Sequence, residues 1–479
     1  MYAVMKDVII IGAGAVGAFL ARNLSRYELD VLVLERELDV GDATSMANSA
    51  IVHSGYDPVP GTLKARFNVE GNAMFDEIAE NLDVEVERIG SITLAIEDAQ
   101  LPLLEELTKR GEANGVPVKI LSREEVLELE PNVTPEVKAG LLCPTAGIVN
   151  PFTLVAHTFE NALDNGVELH LDEEVNGLID RGDFIEVRTS RGSYGAKVVI
   201  NAAGVKSEEI AGLLDDIDWT VRPRKGEYFV LDHFAPGFVN HVLFPLPSEK
   251  GKGVLVSPTT SGDYIVGPSS EWVDDKDDHA TDAETLANVR SQATAMVPNI
   301  PFREQIRVFA GLRATPSTHD FVIGPSEKHP RMINVAGIES PGLVSSPAIG
   351  RYVVEELVSK ILPLRKKKAW RAKIRPYVHL NRLTPEEKAR VIAENPHYGQ
   401  IVCNCEKVSL GEIEDALSRS LPCLTIKAVK KRTRAGFGKC QGGFCQPKVL
   451  FLLAKKLGID PTEVRYGRVG SEILEEVSK

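Results

Sequence analysis

An unbroken apolar run near the start of the chain leads into a glycine-rich turn. Residues 8–11 are all hydrophobic, which is typical of a strand buried on both faces. The turn has G-x-G-x-x-G spacing, and its glycines are Gly12, Gly14 and Gly17. Residues 18–23 then predict a helix, and 30–35 predict a second strand. This pattern predicts a βαβ unit whose helix N-terminus binds the pyrophosphate of a dinucleotide.

Helical and strand-like periodicities continue along the chain. Helices are predicted over 63–82, 101–114, 122–129 and 283–296, with two more that end at Asn165 and Ile361. Ser122 and Glu125 predict a capping box. Strands are predicted over 91–96, 168–171, 184–189, 198–201, 228–231, 242–245, 253–258, 264–267 and 332–336. Because 219–310 consist mainly of strands, we expect a second sheet there that forms the wall of a substrate pocket.

The strand over 30–35 ends in an acid, Glu35. It lies close to the offset of about 20 residues at which a carboxylate binds a ribose diol. The same charge would repel a 2′-phosphate, which disfavours NADP. Flavoproteins that take electrons from NAD(P)H usually carry a second fingerprint, and no second G-x-G-x-x-G follows a strand in this sequence. The electrons are therefore expected to come from an organic substrate.

Composition narrows the class of protein. The 479 residues carry a net charge of −13, which argues against general nucleic-acid or anionic-membrane binding. No apolar stretch approaches the ~20 residues of a membrane helix, and the hydrophobic start lacks a signal-peptide cleavage site. We therefore expect a cytoplasmic protein without an integral membrane segment. Four of the six cysteines form two close pairs near the C-terminus, which indicates metal rather than a disulfide scaffold.

Five further motifs lie outside the glycine fingerprint. They are the loop N-S-A-I-V-H-S-G, the strand V-I-N-A-A-G, the turn R-P-R-K-G-E-Y-F, the G-L-R segment and the helix start S-P-G-L-V-S-S-P-A-I. Over residues 5–362 the chain resembles the D-amino-acid-oxidase-type flavoprotein superfamily. The resemblance implies FAD, with its ring between a discontinuous Rossmann-type domain and an antiparallel substrate domain. It implies that FAD is bound by Gly12, Gly14, Ala15, Val16, Gly17, Glu35, Ser45, Ser49, Val175, Ala203, Gly204, Gly311, Gly342, Leu343 and Val344.

Within this superfamily, residues 244–268 resemble the FAD-dependent glycerol-3-phosphate dehydrogenases, especially the large subunit of the anaerobic multi-subunit type. One motif departs from that family. Those dehydrogenases generally carry G-G-K at the start of the last flavin-facing helix, where this chain has 339–343, E-S-P-G-L, with no lysine for a phosphate. The S-P-G-L-x-S form is more similar to L-2-hydroxyglutarate oxidases and dehydrogenases.

Oxidising a secondary alcohol by hydride transfer to a flavin requires a base and a cationic anchor. His53 lies in the loop that the family places against the flavin, and a free imidazole titrates near ~6.5, so it can accept a proton. Arg313 offers a fork that binds a carboxylate or a phosphate. A histidine hydrogen-bonded within the loop and an arginine in an ordinary ion pair are the structural alternatives. Lys225 and Tyr264 are weaker candidates that are expected to be structural.

The C-terminal cysteines are Cys403, Cys405, Cys440 and Cys445. Ser409 with Glu412 caps a first helix, and Gly436 is predicted to end a second. Four thiolates suit zinc or a [2Fe–2S] cluster, and their spacing leaves both open. The region resembles the bacterioferritin-associated-ferredoxin-type [2Fe–2S] domain, which implies the cluster. Cys143 and Cys423 are expected to be buried small residues.

Two groups of basic residues remain. Those in 427–434 are predicted either to offset the charge of the cluster or to form a solvated helix face. The basic segment 364–377 is predicted to be a solvated hinge, with a partner-docking patch as the alternative.

The predicted fold is α/β, with a discontinuous Rossmann-type FAD-binding domain, an α+β substrate domain and a small helical iron–sulfur domain. The FAD-binding domain is expected over 1–82, 146–218 and 309–362; the substrate domain over 83–145 and 219–308; a linker over 363–395; and the [2Fe–2S] domain with a C-terminal helix over 396–479.

The predicted function is oxidation of a small anionic secondary alcohol, with sn-glycerol 3-phosphate as the favoured substrate. Electrons would pass through the iron–sulfur domain to a partner redox subunit or carrier, through which the protein could associate peripherally with a membrane. An L-2-hydroxy-acid dehydrogenase or oxidase, an amino- or imino-acid dehydrogenase subunit and a non-catalytic electron-transfer subunit are the alternatives.

Overall fold

The computed structural model of the chain describes residues 4–247 and 253–476. Residues 248–252 of the dehydrogenase-like stretch lie outside the described residues, as do the first and last three residues of the predicted terminal domains.

The strands form two large sheets and two small ones. They are β1 (Val4–Ile11), β2 (Val31–Leu34), β3 (Ile51–Val52), β4 (Val86–Glu87), β5 (Ser91–Ala95), β6 (Lys119–Ser122), β7 (Ala139–Cys143), β8 (Gly147–Val149), β9 (Glu168–His170), β10 (Val175–Asp180), β11 (Ile185–Thr189), β12 (Ser193–Asn201), β13 (Val221–Leu231), β14 (Val242–Pro245), β15 (Leu255–Pro258), β16 (Tyr264–Gly267), β17 (Glu271–Trp272), β18 (Gln305–Pro316), β19 (Val322–Pro325), β20 (Met332–Ala336), β21 (Ile401–Cys403) and β22 (Val408–Ser409).

The helices pack on both large sheets and build most of the C-terminal domain. They are α1 (Ala15–Leu24), α2 (Leu63–Asn72), α3 (Phe75–Leu82), α4 (Leu101–Ala113), α5 (Arg123–Leu129), α6 (Pro151–Asp164), α7 (Ser207–Gly212), α8 (Ala283–Met296), α9 (Gly342–Tyr352), α10 (Pro385–Glu394), α11 (Leu410–Ser418), α12 (Ile426–Thr433) and α13 (Gln446–Leu457). Within the ranges 4–247 and 253–476, no helix has both the length and the apolar character needed to cross a membrane.

The first sheet positions the glycine fingerprint. Its order is β10-β11-β12-β1-β2-β9, with β20 beside β12 and β19 beside β20. β1 is parallel to β2 and β12, and Ile11 pairs with Leu34 and Asn201. The carboxyl ends of these three strands therefore meet at one edge, where the fingerprint turn begins. The core on one face packs α1, α6 and α9 against these strands.

The second sheet has the order β17-β13-β16-β15-β14-β5-β7-β6, with β18 beside β13. Its pairs are antiparallel except β5 with β14, which is parallel. β13 and β18 pair along their length, so that Gly226 lies opposite Gly311 and Arg224 lies opposite Arg313. This pairing sets two arginines side by side at the end of the sheet nearest the fingerprint loop.

The pairing of β13 with β18 leads us to place one domain boundary differently from the sequence prediction. A boundary at residue 309 would cut β18, although β18 pairs with β13 from Gln305 to Pro316. We therefore propose that the substrate domain extends to Pro316 and that the FAD-binding domain resumes after it. The other boundaries remain as proposed from the sequence.

The single helix predicted over 63–82 is wrong, because α2 ends at Asn72 and α3 begins at Phe75. The carbonyl of Asn72 accepts a hydrogen bond from Arg88 Nη2 at 2.8 Å. The Asn72 side chain donates to the carbonyls of His53 and Thr145. At the break between the two helices, Asn72 therefore holds the loops that contain His53 and Thr145, and its carbonyl binds Arg88.

The segment 364–377 is solvated at Arg365, Lys366 and Lys368, as predicted, but its other contacts do not fit a hinge. Lys367 donates through its backbone N–H to Arg26 O and through Nζ to Asn165 O. Trp370 donates to Ser25 Oγ, and the Arg26 guanidinium lies 4.6 Å from its ring centroid. These contacts hold the segment against the FAD-binding domain.

The C-terminal domain has a small core of its own around α11, α12 and α13. The capping box predicted at Ser409 and Glu412 is present at the start of α11. Gly436 does not end α12, because the helix stops at Thr433 and Arg434 takes the left-handed conformation at φ 67°. Arg434 is therefore the residue that caps the helix, and its side chain forms ion pairs with Glu406 and Asp263.

Candidate active site and cysteine cluster

The fingerprint turn has the geometry that a pyrophosphate requires. Gly12 has φ +104°, and a Cβ there would lie 2.6 Å from Ala202 O, so only glycine fits. The Ala13 N–H donates to Glu35 Oε2 at 2.7 Å, and the Ala15 N–H donates to Ser45 Oγ at 2.9 Å. Burial raises the pKa of Glu35, and backbone N–H donors oppose that shift. A carboxylate and a hydroxyl thus lie beside the start of α1.

A cavity of about 390 Å³, called here the first cavity, lies between the two large sheets. Its lining includes many of the residues predicted to bind FAD or to act in catalysis: Gly14, Ala15, Val16, Ser45, Ser49, His53, Gly204, Gly311, Arg313, Gly342 and Leu343. The sheet approaches the loop closely, since a Cβ on Gly311 would clash with Ala47 O. Segments far apart in the sequence therefore converge on one space.

Two helix N-termini open onto the first cavity. Residues 14–16 begin α1 and residues 341–343 begin α9, and both groups line the cavity. Neither N-cap residue caps its helix through a side chain. The first N–H groups donate within the protein, from Ala15 to Ser45 Oγ and from Gly342 to Glu339 O, and the helix dipole still makes both ends positive. An N-terminus favours anionic groups. The pair fits FAD, whose pyrophosphate and ring would each meet one helix end.

Several residues predicted to bind FAD do not line the first cavity. Gly12 and Gly17 shape the turn, Glu35 accepts from it, and Ala203 precedes the short helical turn at Gly204. Val344 is completely buried within α9. Val175 is buried at the start of β10, where it pairs with Thr189. We propose that Val175 and Val344 contact FAD through their backbones.

The His53 loop is fixed by two asparagines. The side-chain amides of Asn68 and Asn72 donate to His53 O at 2.7 and 3.0 Å. The imidazole lines the first cavity, with its ring 5.9 Å from that of Phe244. The loop backbone is thereby held while the imidazole stays at the cavity wall, as a proton acceptor requires.

Arg313 is a cation held by carbonyl groups. Its Nη1 donates to Arg224 O at 3.5 Å and its Nη2 to Ser269 O at 3.2 Å. Within the described part of the chain, no carboxylate lies at ion-pair distance from it. Burial lowers the pKa of Arg313, but a guanidinium remains protonated at neutral pH. Its charge is therefore available to an anionic substrate in the first cavity.

The sequence reasoning missed a charged cluster on the same wall. Glu339 accepts from Lys64 Nζ at 2.8 Å, from Arg224 Nη2 at 2.9 Å and from Thr315 Oγ1 at 2.8 Å. Tyr228 OH lies 3.1 Å from Ser49 Oγ. The R-P-R-K-G-E-Y-F motif could have indicated Arg224 and Tyr228, whereas no local signal indicates Lys64. This cluster sets two further cations beside the first cavity.

Lys225 and Tyr264 are structural, as expected. Lys225 Nζ forms an ion pair with Asp278 at 2.8 Å, and Tyr264 OH donates to Ala235 O at 2.9 Å. Neither residue lines the first cavity.

The four C-terminal cysteines lie close together. Each cysteine of the sequence pair 403 and 405 lies next to one cysteine of the pair 440 and 445. The sulfurs of Cys405 and Cys440 lie 3.6 Å apart, and Cys403 hydrogen-bonds Cys445. Cys403 and Cys445 are buried, whereas Cys405 is exposed. Each pair therefore joins one cysteine from either side of α11 and α12.

The sulfur geometry distinguishes between the two metals considered. A tetrahedral zinc brings four sulfurs to ~2.3 Å from one ion, so all four would crowd together. Among the described residues, no three cysteine sulfurs lie within 4.8 Å of one another. Two separate pairs fit a [2Fe–2S] cluster, in which each iron binds two thiolates. A hydrogen bond with Cys445, together with backbone N–H donors, lowers the pKa of Cys403 to about 6, which favours its thiolate.

The remaining cysteines and basic residues have structural environments. Cys143 and Cys423 are buried, as predicted, and burial raises the pKa of Cys423 to about 11. Neither prediction for the basic residues 427–434 describes Lys431 and Arg432. Both are buried and paired with Asp39, at 2.7 and 2.6 Å. They join α12 to the segment that follows β2.

We compared the sequence and the fold of the chain with those of known proteins. The family model for FAD-dependent oxidoreductases matches residues 7–356. The chain belongs to this family. A second family model, for BFD-like [2Fe-2S] binding domains, matches residues 401–455. The chain is therefore an FAD-dependent oxidoreductase with a C-terminal [2Fe–2S] domain.

Three individual relatives extend the comparison. The chain is 41% identical over 472 residues, 98% of both chains, to a glycerol 3-phosphate dehydrogenase of Caloramator mitchellensis. It is 28% identical to the mitochondrial L-2-hydroxyglutarate dehydrogenase of Arabidopsis thaliana, over 74% of this chain and 83% of that one. The solved structure of an FAD-bound, dithionite-reduced L-α-glycerophosphate oxidase from Mycoplasma pneumoniae has a TM-score of 0.75 and 30% identity, covering 78% of this chain and all of that one.

Proposed function

We propose that this oxidoreductase converts sn-glycerol 3-phosphate to dihydroxyacetone phosphate and passes the electrons to its [2Fe–2S] domain. The observation that carries the proposal is Arg313, a partly buried guanidinium in the first cavity that is bound to carbonyl oxygens. The full-length similarity to a glycerol 3-phosphate dehydrogenase supports the same substrate.

In this proposal, Arg313 binds the phosphate and orients the alcohol. A charge-assisted fork to a phosphate is among the strong polar contacts in proteins. His53 takes the proton of the C2 hydroxyl as the carbon is oxidised. FAD, when bound, accepts the hydride that leaves C2. The N-termini of α1 and α9 would stabilise negative charge on either side of the first cavity.

The absent G-G-K lysine raises the question of which cation replaces it. Lys64 and Arg224 line the first cavity, but both are paired with Glu339. Glu339 offsets one of these two positive charges, whereas Arg313 has no carboxylate at ion-pair distance among the described residues and is the cation that a phosphate would meet. We propose Arg313 as the primary anchor, with Lys64 contributing a secondary electrostatic attraction.

L-2-hydroxyglutarate is the second candidate substrate, favoured by the S-P-G-L sequence at the start of α9. A carboxylate also suits the Arg313 fork. The alcohol carbon and its proton acceptor would be the same, so the mechanism does not separate the two substrates.

Electrons leaving the cluster require an acceptor outside the chain. We propose a redox partner subunit or a small electron carrier that approaches the cluster near Cys405. The exposure of Cys405 supports this route, because electron transfer weakens with distance and one edge of the cluster would lie at the surface.

Anaerobic titration of the FAD-loaded protein tests the substrate. Bleaching of the flavin absorbance by sn-glycerol 3-phosphate, but not by L-2-hydroxyglutarate, is the expected result. The reverse outcome would replace the substrate and keep the chemistry, while silence with both would refute the proposal.

The anchor is tested with Arg313→Gln. The substrate concentration needed for bleaching should rise about 100-fold or more, because a phosphate would lose its charged partner. Arg222→Gln is the matched control, since Arg222 is exposed on the adjacent strand, forms an ion pair with Asp274 at the surface and does not line the first cavity.

A further inference from the structure

A second cavity, of about 1040 Å³, lies where three regions of the molecule meet. Its walls come from loop 42–50, from the second sheet and from the C-terminal domain. None of the fingerprint glycines lines it, so it is not the pyrophosphate site. Ala47, Asn48 and Ala50 line both cavities, so the same loop separates this space from the candidate flavin site. The volume is at the upper end of the range for small-molecule pockets.

Aromatic rings form two sides of the second cavity. Phe309 lines it and stacks on Tyr228, which lines the first cavity, with centroids 4.6 Å apart and planes 8° apart. Phe152 and Phe437, which join the nucleotide domain to the cysteine domain, lie 5.0 Å apart on another side. Such surfaces favour a planar ligand, which gains stacking as well as hydrophobic contact.

The charges around the second cavity are unevenly paired. Asp42, Asp263 and Asp277 each form ion pairs with lining cations, namely Lys427 and Lys431, Arg434, and Arg36. Besides the exposed Arg468, two other lining cations, Lys430 and Arg307, have no carboxylate at ion-pair distance among residues 4–247 and 253–476.

Lys430 is the more unusual of these two cations. It is 5% exposed, and its Nζ lies 4.5 Å from the ring centroid of Phe437. A buried ammonium is costly unless it meets an anion. Arg307 comes from the second sheet and is near enough to repel it. The two cations thus face one space from different domains, beside aromatic rings.

We propose that the second cavity binds a mononucleotide, a ligand that joins one planar aromatic ring system to a phosphate. Lys430 and Arg307 bind the phosphate, and the Phe152, Phe309 and Phe437 surfaces contact the ring. The site is separate from that for FAD and lies between the candidate flavin site and the cysteine domain. The inference goes beyond the proposed function, because it holds whichever alcohol is oxidised.

The binding test uses the full chain saturated with FAD and carrying its cluster. Flavin mononucleotide, AMP and inorganic phosphate are titrated separately by calorimetry. Saturable binding of at least one mononucleotide, more tightly than phosphate alone, is expected. Lys430→Gln and Arg307→Gln should each weaken it about tenfold or more, the loss typical of a charge-assisted hydrogen bond.

Two exposed residues provide matched controls. The control variants are Arg303→Gln and Lys455→Gln. Arg303 lies just before β18 and Lys455 lies on α13, and neither residue lines the second cavity. Both should leave mononucleotide affinity unchanged. The visible absorbance of flavin and cluster reports whether each variant is folded, and exposed Arg307 keeps the test decisive if Lys430→Gln does not fold.

Three outcomes would overturn the proposal. The first is no binding of either mononucleotide at about 1 mM. The second is phosphate binding as tightly as the mononucleotides, because the rings would then play no part. The third concerns Cys445, whose thiolate attracts Lys430. If Lys430→Gln shifts the cluster's reduction potential but leaves mononucleotide affinity intact, and Arg307→Gln also leaves it intact, Lys430 is a counter-charge for the cluster alone.

Discussion

The lining of the first cavity comes from segments between residues 14 and 346, whereas the four cysteines lie within residues 403–445. The first site relies on close backbone approach, two helix N-termini and one arginine without a carboxylate partner among residues 4–247 and 253–476. The second relies on four side chains brought together by a short helical unit. The difference indicates that the cysteine unit can fail locally, while the flavin site depends on the register of two sheets.

The two regions also treat buried charge differently. Arg313 is left without a carboxylate among the described residues, while Lys431 and Arg432 are fully paired with Asp39 across the domain junction. An unpaired cation suits a site that binds an anion, and a paired one suits a permanent contact. The following predictions test whether the regions are separable in this way.

Loss of one cysteine should have the largest effect. Cys445→Ser removes a buried cysteine that we propose as a cluster ligand, so the cluster's visible absorbance and the reduction of an external acceptor should both be lost. FAD content and anaerobic bleaching by substrate should persist, because residues 403–445 do not line the first cavity. Loss of FAD from this variant would show that the two regions are not separable.

His53→Gln should be next in size. Removing the proposed proton acceptor should slow flavin reduction by about 10²–10⁴-fold, with a much smaller change in substrate affinity, as measured by anaerobic stopped-flow. His241→Gln is the control, since His241 pairs with Glu130 and does not line the first cavity. An unchanged rate in His53→Gln would remove His53 from the mechanism.

Asp39→Asn should destabilise the junction between the regions. It leaves Lys431 and Arg432 buried without their shared carboxylate, a change that typically costs about 3–5 kcal/mol. We expect a lower denaturation midpoint for the C-terminal domain, measured by loss of cluster absorbance in urea, with FAD release at a higher concentration. Simultaneous loss of both signals would show one cooperative unit.

The pH dependence of the same pair gives a control for this prediction. Burial would raise the pKa of Asp39, but the charges of Arg432 and Lys431 outweigh it, and the pKa is held below its usual 3.8. A lowered carboxyl pKa adds stability above the unfolded value, and that stability is lost as the pH falls through the folded value. The difference between wild type and Asp39→Asn should therefore be constant near neutrality and shrink below about pH 4. A difference that grew on acidification would contradict this.

Lys427→Gln should have the smallest effect. Lys427 is partly exposed and lies 3.3 Å from Asp42, which also pairs with Lys431. Its loss should lower the free energy of unfolding of the C-terminal domain, obtained from the same urea titration, by at most about 1 kcal/mol, since a partly exposed pair contributes little. An effect as large as that of Asp39→Asn would mean that the junction depends on its rim rather than on its buried pair.

Local features of the fold were predictable from the sequence. The strand over 242–245 and the helix over 283–296 have the predicted bounds, because their patterns and end signals are contiguous. The capping boxes at Ser122 and Ser409 are present for the same reason. The break between α2 and α3 was not predictable, since it depends on Arg88, Thr145 and the His53 loop, which lie elsewhere in the sequence.

The candidate sites also contain residues that local motifs indicated and residues that only the fold brings together. Motifs indicated His53, Arg313 and the four cysteines, which the structure places at the first cavity and in the C-terminal domain. Nothing local indicated that Glu339 would pair with Lys64, because α2 and the segment before α9 meet only through the fold. The burial of Lys431 and Arg432 was equally hidden, since a basic helix has the same pattern whether solvent or a carboxylate faces it.

The sequence by itself determined the fingerprint turn, the flavoprotein family and the presence of a four-cysteine unit, because each depends on residue types at fixed short spacing. Only the tertiary structure decided which cysteines combine, which arginine keeps its charge unpaired and where the two cavities lie. Cys405 with Cys440 and Arg224 beside Arg313 are neighbours across helices and strands. Such neighbours are set by packing and register, which the spacing of residues along a chain does not encode.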